Sequence, residues 1–159
     1  MSDPIFDAAL RGHVDLLKYL LDKGIDPNTT NEVGYTPIMA ASHDGRVDCI
    51  KLLISAGANV NATDSSGRTA LINAVQHSTA EVTQLLLTHG AEVNHVTESG
   101  HSALMHVVFN NYPLTDCIEL ANLLIKNGAI VGTTDNSGKT ALDLAKSKGR
   151  EHLFEILST

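Results

Sequence analysis

An all-α solenoid of stacked helix–turn–helix units is the architecture this 159-residue sequence predicts, and two periodicities running in step predict it. The stretches Gly34-Tyr35-Thr36-Pro37-Ile38, Gly67-Arg68-Thr69-Ala70-Leu71 and Gly100-His101-Ser102-Ala103-Leu104 recur at intervals of 33 residues. Between them, Gly24 precedes Asp26 and Asn28, Gly57 precedes Asn59 and Asn61, and Gly90 precedes Glu92 and Asn94. A fixed period of this length marks supersecondary units that cannot bury their apolar faces alone and must stack. With 43% hydrophobic and 18% charged residues the chain has enough apolar material for one continuous core, so residues 1–159 are expected to form one domain.

The first unit, about 1–33, opens directly at a helix. Pro4 suits the first helical position, where its missing N–H costs nothing. Ala8 and Ala9 follow, Gly12-His13 turns the chain, and Val14, Leu16, Leu17, Leu20 and Leu21 form the apolar face of a second helix stopped by Gly24. Asp15, Lys18, Asp22 and Lys23 make its other face polar, as an end unit requires.

The second unit, 34–66, repeats this plan with Thr36 as a helix cap, Pro37 as the first helical residue, small Ala41 and Ser42, and Val47, Cys49, Ile50, Leu52 and Leu53 towards the core. The third, 67–99, has Ser78 in place of a turn glycine and Thr83 in place of Ile50, which predicts looser packing of its second helix.

The fourth unit, 100–137, departs most. Gly100 to Gly128 spans 28 residues against 23 from Gly67 to Gly90, placing a five-residue insertion at Asn111–Thr115 between the helices. Asp116 followed by Glu119 reads as a capping box opening the second helix. The fifth unit, 138–159, carries Lys146 where inner units have small residues, which is the logic of an end cap and predicts a final helix to close the stack.

These motifs resemble the ankyrin repeat, whose pattern is a Thr-Pro-Leu-His turn, an alanine pair, then Leu-Leu before Gly-Ala. The resemblance runs through nearly the whole chain in register. It implies an ankyrin-repeat solenoid of about five repeats, two of them capping, with β-turn or hairpin fingers. It also implies a scaffold or adaptor that binds another protein, without intrinsic catalysis. The family's histidine is replaced by Phe6, Met39, Ile72, Met105 and Asp143, which puts the polar network between repeats in doubt. Asn61 and Asn94 each follow a valine and stand eight residues after Leu53 or Leu86, a context resembling the family's asparagine hydroxylation sites.

Other functional classes find little support in the residues. The net charge is −7 and the pI about 5.5, with no basic stripe for nucleic acid. Lys146, Lys148 and Arg150, interleaved with Glu151, read as a solvated end. No run of 18 apolar residues could span a membrane. Cys49 and Cys117 lie in different repeats, and the N-terminal residues lack a leader pattern. Reduced core thiols in a cytoplasmic, intracellular monomer are therefore expected.

Gly138-Lys139-Thr140 looks like the end of a phosphate-binding loop, but the glycine that motif needs is Thr133, with Gly132 one residue out. No two of the eight histidines are three or four residues apart, so no helix face presents a metal-ligand pair. His101 and His106 come nearest to one. No Gly-x-Ser-x-Gly elbow occurs. Neither cofactor nor metal is expected; the enzyme alternative would be an unmarked site near the insertion.

What remains is surface. Four, seven and eight residues after each capping Thr or Ser, the inner helices carry Ala40, His43 and Asp44; Asn73, Gln76 and His77; His106, Phe109 and Asn110. Opposite the small buried pair, these positions are predicted to face a shared concave surface, with turn-tip residues such as Tyr35, Arg68 and His101 beside them. The candidate protein-binding set is Tyr35, His43, Arg68, Asn73, His77, His101, His106, Phe109 and Tyr112, of which Tyr35, Arg68, Phe109 and Tyr112 are types favoured in hot spots. Lys51, Gln84 and Asn122 are predicted on the opposite, convex side.

Overall fold

The computed structural model describes residues 3–77, 80–109 and 113–158. Among them nine α-helices follow one another: α1 Pro4–Arg11, α2 Val14–Asp22, α3 Pro37–His43, α4 Val47–Ser55, α5 Ala70–His77, α6 Ala80–Thr88, α7 Ala103–Phe109, α8 Leu114–Lys126 and α9 Ala141–Ser147. Two single 3₁₀ turns, Glu151–Leu153 and Ile156–Ser158, come last. The odd-numbered helices pack against one another in sequence order as an inner layer, and α2, α4, α6 and α8 form an outer layer behind them. Ser78 lies outside the described residues.

Small residues set the inner layer. Ala8, Ala9, Ala41, Ser42, Ala74, Val75, Val107 and Val108 are at most 1% exposed, so neighbouring backbones approach closely. Behind them Leu17, Ile50, Leu53, Leu86, Leu120 and Leu124 fill the space between the layers, each essentially inaccessible. Thr83 is also fully buried, so the polar replacement of Ile50 is absorbed within the core. Lys51, Gln84 and Asn122 are exposed on the outer helices, as the period predicts.

The loops between repeats are held by one device used four times. At Asn31, Asp64, Thr97 and Asp135 a side-chain oxygen accepts the backbone N–H four residues on, at 2.9, 2.9, 3.2 and 2.9 Å. A glycine three residues after each donates to that residue's carbonyl, at 2.8–3.0 Å. At Gly67 and Gly100 φ is +73° and +78°, and a Cβ would sit 2.9 Å from Glu98 N and 2.7 Å from Asn136 Oδ1. Glycine is therefore required twice over, by the left-handed backbone and by the close approach of the next turn.

Several sequence expectations need correction. The polar network between repeats is present, carried by asparagines. Asn28 Nδ2 donates to Gly57 O at 3.1 Å and its Oδ1 accepts from Asn59 N at 2.6 Å. Asn61 bonds Gly90 O and Glu92 N, both at 2.9 Å. Asn94 bonds Gly128 O at 2.9 Å and Ile130 N at 2.8 Å. The side-chain amide carries donor and acceptor together, so one residue satisfies two backbone groups of the next repeat.

Helix α8 begins at Leu114, not at an Asp116 cap. Pro113 O accepts from Asp116 N and Cys117 N at 3.1 and 3.3 Å, which places the cap at Pro113, ahead of the expected Asp116, and leaves Asp116 in the first turn, where the helix dipole favours an acid. Thr36 occupies the N-cap position of α3, but its hydroxyl makes no cap hydrogen bond. The expected final helix is replaced by the two 3₁₀ turns, closed by Leu153 N to Arg150 O at 2.9 Å and Phe154 N to Glu151 O at 3.0 Å. They still bury Leu153 and Leu157, four residues apart. In α2 Leu17 alone is fully buried; Leu20 and Leu21 are partly buried against the core, while Val14 and Leu16 are 37% and 42% exposed, so two of the five predicted apolar-face residues are open.

Candidate functional site

The C-terminal turns of the inner helices and the turns before them bring together the candidate residues of the middle repeats. Helices α3 and α5 run side by side, which stacks the rings of His43 and His77 with centroids 4.1 Å apart and planes 28° from parallel. Stacked helix axes lie about 8–10 Å apart, and the two side chains close that gap by leaning towards each other. His43 Nδ1 meets Asp44 Oδ1 at 2.7 Å. Partial burial, then the neighbouring His43 and Arg68, hold the His77 pKa below the ordinary imidazole value.

One repeat on, His101, His106 and Phe109 form an aromatic cluster. His101 lies 5.0 Å from Phe109 and 5.8 Å from His106, centroid to centroid, and His106 is 5.8 Å from Phe109. Lys148 Nζ stands 5.3 Å from the Phe109 centroid, a cation over the ring that the sequence did not signal because it arrives from the next repeat. Phe109 is half-buried among these groups.

Two candidates leave the surface. Asn73 is 1% and His106 6% exposed, with Ala40 at the matching position 3%. The inner helix is flanked on both sides by its neighbours and backed by its own partner, so the position four residues after the cap is enclosed. Neither ring nitrogen of His106 has a hydrogen-bond partner, nor do Asn73 Nδ2 and Gln76 Oε1. Burial, reinforced by His101, Arg68 and His77, pushes the His106 pKa down to about 4, so the ring is neutral at pH 7.

Arg68 is tied into its own turn. Its Nε and Nη2 each stand 2.9 Å from Asp64 Oδ2, and the Asp64 side chain is 1% exposed. The other oxygen of Asp64 accepts Ser66 N at 2.8 Å and Arg68 N at 2.9 Å. Tyr35 donates its hydroxyl to Met39 O at 3.2 Å, and burial raises its pKa to about 12. Both keep part of their surface open. Tyr112 lies outside the described residues, as do Asn110 and Asn111.

Among the described residues no group of three or more His, Cys, Asp or Glu is placed to hold a metal ion. His101 and His106, the nearest to a ligand pair in the sequence, meet edge to face with no third ligand. Gly138-Lys139-Thr140 forms a turn and the cap of α9, in which Asp143 N donates to Thr140 Oγ1 at 3.2 Å. Cys49 and Cys117 are buried thiols, their pKa values raised by desolvation. Among the described residues no helix is long and apolar enough to cross a membrane.

A family model described as ankyrin repeats, in three copies, matches residues 5–97. The chain belongs to the ankyrin-repeat family. Ankyrin repeats are generally protein–protein interaction modules and typically carry no catalytic site. A search of the curated proteins found no match. In the ankyrin frame the matched segment covers α1 to α6 and reaches the turn that precedes α7.

Proposed function

We propose that this ankyrin-repeat protein is an adaptor that binds a partner protein across its inner, concave face, without chemistry of its own. The reading takes the chain as five repeats, the first and last capping, with the four hydrogen-bonded turns projecting as fingers beside the inner helices. One observation carries it. Tyr35, His43, Arg68, His77, His101 and Phe109 stay partly or largely open on successive repeats, while the small residues beside them are sealed. The fold uses the sealed positions for stacking and leaves the open ones free for recognition. Asn73 and His106 drop out as contacts and serve instead as the floor beneath them.

The test is capture of a partner from the source cell, identified by mass spectrometry, followed by affinity measurements. His77→Ala and Phe109→Ala are expected to weaken binding by about 1 kcal/mol or more each if they are hot spots. Lys51→Ala and Gln84→Ala on the outer helices are expected to change it little. Asn61 and Asn94 are proposed as hydroxylation candidates on the family context alone. Their amides are already committed to the next repeat, so an enzyme would have to open that contact first. Intact-mass analysis after co-expression with the hydroxylase reads the added oxygen directly, and an unchanged mass removes the idea.

A further inference from the structure

A second surface lies at the N-terminal end of the same face. Helix α1 and the turn at residues 30–35 enclose an open groove of about 650 Å³. Its apolar lining includes Phe6, Leu10, Val33 and Tyr35, and two of these are unusually open for large hydrophobic residues: Leu10 is 37% and Val33 51% exposed. Around this lining stand Asp3, Asp7 and Glu32, and none of the described lining residues is basic.

Two of the three carboxylates have partners within the fold, but each contact is weak or exposed. Asp3 makes one long cap contact, 3.3 Å from Ile5 N. Asp7 pairs with Arg11 at 2.6 Å on the open surface, where such a pair adds little. Glu32 has no ion-pair partner among the described residues. The nearby Arg46 is engaged with other groups, its Nε donating to Leu10 O at 2.9 Å and its Nη2 lying 3.5 Å from Asp44 Oδ2. An apolar floor with an acidic rim is complementary to an apolar side chain flanked by cations.

We propose that this groove docks a basic, apolar segment of another protein, in which a bulky hydrophobic residue beside Lys or Arg lies on Phe6, Leu10, Val33 and Tyr35. Its cations face Asp3, Asp7 and Glu32. This rests on the adaptor reading and extends it, since the groove lies at one end of the histidine-lined face and would fix the direction in which a partner runs along it.

The test uses the full chain, ¹⁵N-labelled, titrated with three synthetic hexapeptides of alternating Arg-Leu, Glu-Leu and Arg-Gly at physiological ionic strength. The Arg-Leu peptide is expected to shift the amides of Phe6, Leu10, Val33 and Tyr35 and to bind at least about tenfold more tightly than either control. The double variant Glu32→Lys, Val33→Asp alters two exposed side chains and no backbone bond. It is expected to keep the native circular dichroism and lose at least about tenfold in affinity for that peptide. Equal binding of the three peptides, or no shift in the groove, overturns the inference. So does sedimentation showing that the protein self-associates through this groove and that the double variant dissociates it. Shifts confined to His43, His77, His101 and Phe109 would also overturn it, while leaving the concave-face reading in place. A partner held by the outer helices would remove both.

Discussion

At the scale of the residue, His106 is the most informative side chain. It is enclosed, both nitrogens lack partners, and its pKa falls to about 4. The unfolded chain protonates such a ring near 6.5. As pH falls from there to about 4, the unfolded state takes up a proton that the folded state refuses, so folding stability is lost across that window. The loss is at most about 3 kcal/mol, at 1.36 kcal/mol per pKa unit. His106→Leu is expected to flatten urea-unfolding stability between pH 4 and 6.5 and to raise stability at pH 7 by about 1–2 kcal/mol, because unpartnered polar atoms leave the core. An unchanged pH slope would mean that His106 is hydrated in solution. Arg68 needs the opposite care. Arg68→Ala would strip a cation from the enclosed Asp64 carboxylate and is expected to destabilise the turn as well as any contact with a partner. His77→Ala is the cleaner probe of binding. In the sequence His77 and His106 both read as free positions of the repeat; packing of neighbouring helices encloses the position four residues after each cap, at Ala40, Asn73 and His106, and leaves Asp44 and His77, eight residues after it, open.

The helices and turns follow closely from the residues. Pro4 and Pro37 start helices, Gly24 and Gly57 follow helix ends, and the alanine pairs mark the inner layer, because each rests on local chemistry that a single repeat already contains. The start of α8 was misread because Asp116 and Glu119 mimic a cap, while the carbonyl that opens the helix belongs to Pro113. The last segment was misread because its apolar spacing fits an α-helix and a pair of 3₁₀ turns alike. The asparagine bridges were visible as a spacing, at Asn28, Asn61 and Asn94, but not as a function, since their partners lie in the next repeat. Removing one is expected to weaken the stack: Asn61→Ala loses two bonds to the following repeat and should cost about 1–3 kcal/mol in urea unfolding, against little for Gln84→Ala. Deep between the layers, Leu86→Ala should cost about 2–5 kcal/mol by opening a cavity where no side chain can follow. A loss near 0.5 kcal/mol would show that the region collapses freely and that the repeat interface is looser than its burial implies.

At the scale of the molecule, stacking divides the surface in two. The outer helices present Lys51, Gln84 and Asn122 at one repeating position, polar in each repeat because solvent is the only demand there. The inner face varies: tyrosine, stacked histidines, an arginine held by a buried acid, then an aromatic cluster under Lys148. Its N-terminal end adds an apolar groove with an acidic rim. Which face is predicted to bind was legible from the period; the chemistry of the face emerged only when side chains from separate repeats were brought together. The central claim is that recognition belongs to the inner face. Calorimetric titration of the captured partner against His77→Ala, Phe109→Ala, Lys51→Ala and Gln84→Ala, each confirmed folded by circular dichroism, tests it most directly. The account predicts affinity losses of about fivefold or more for the first two and near-native affinity for the last two. Losses confined to Lys51→Ala and Gln84→Ala would contradict it.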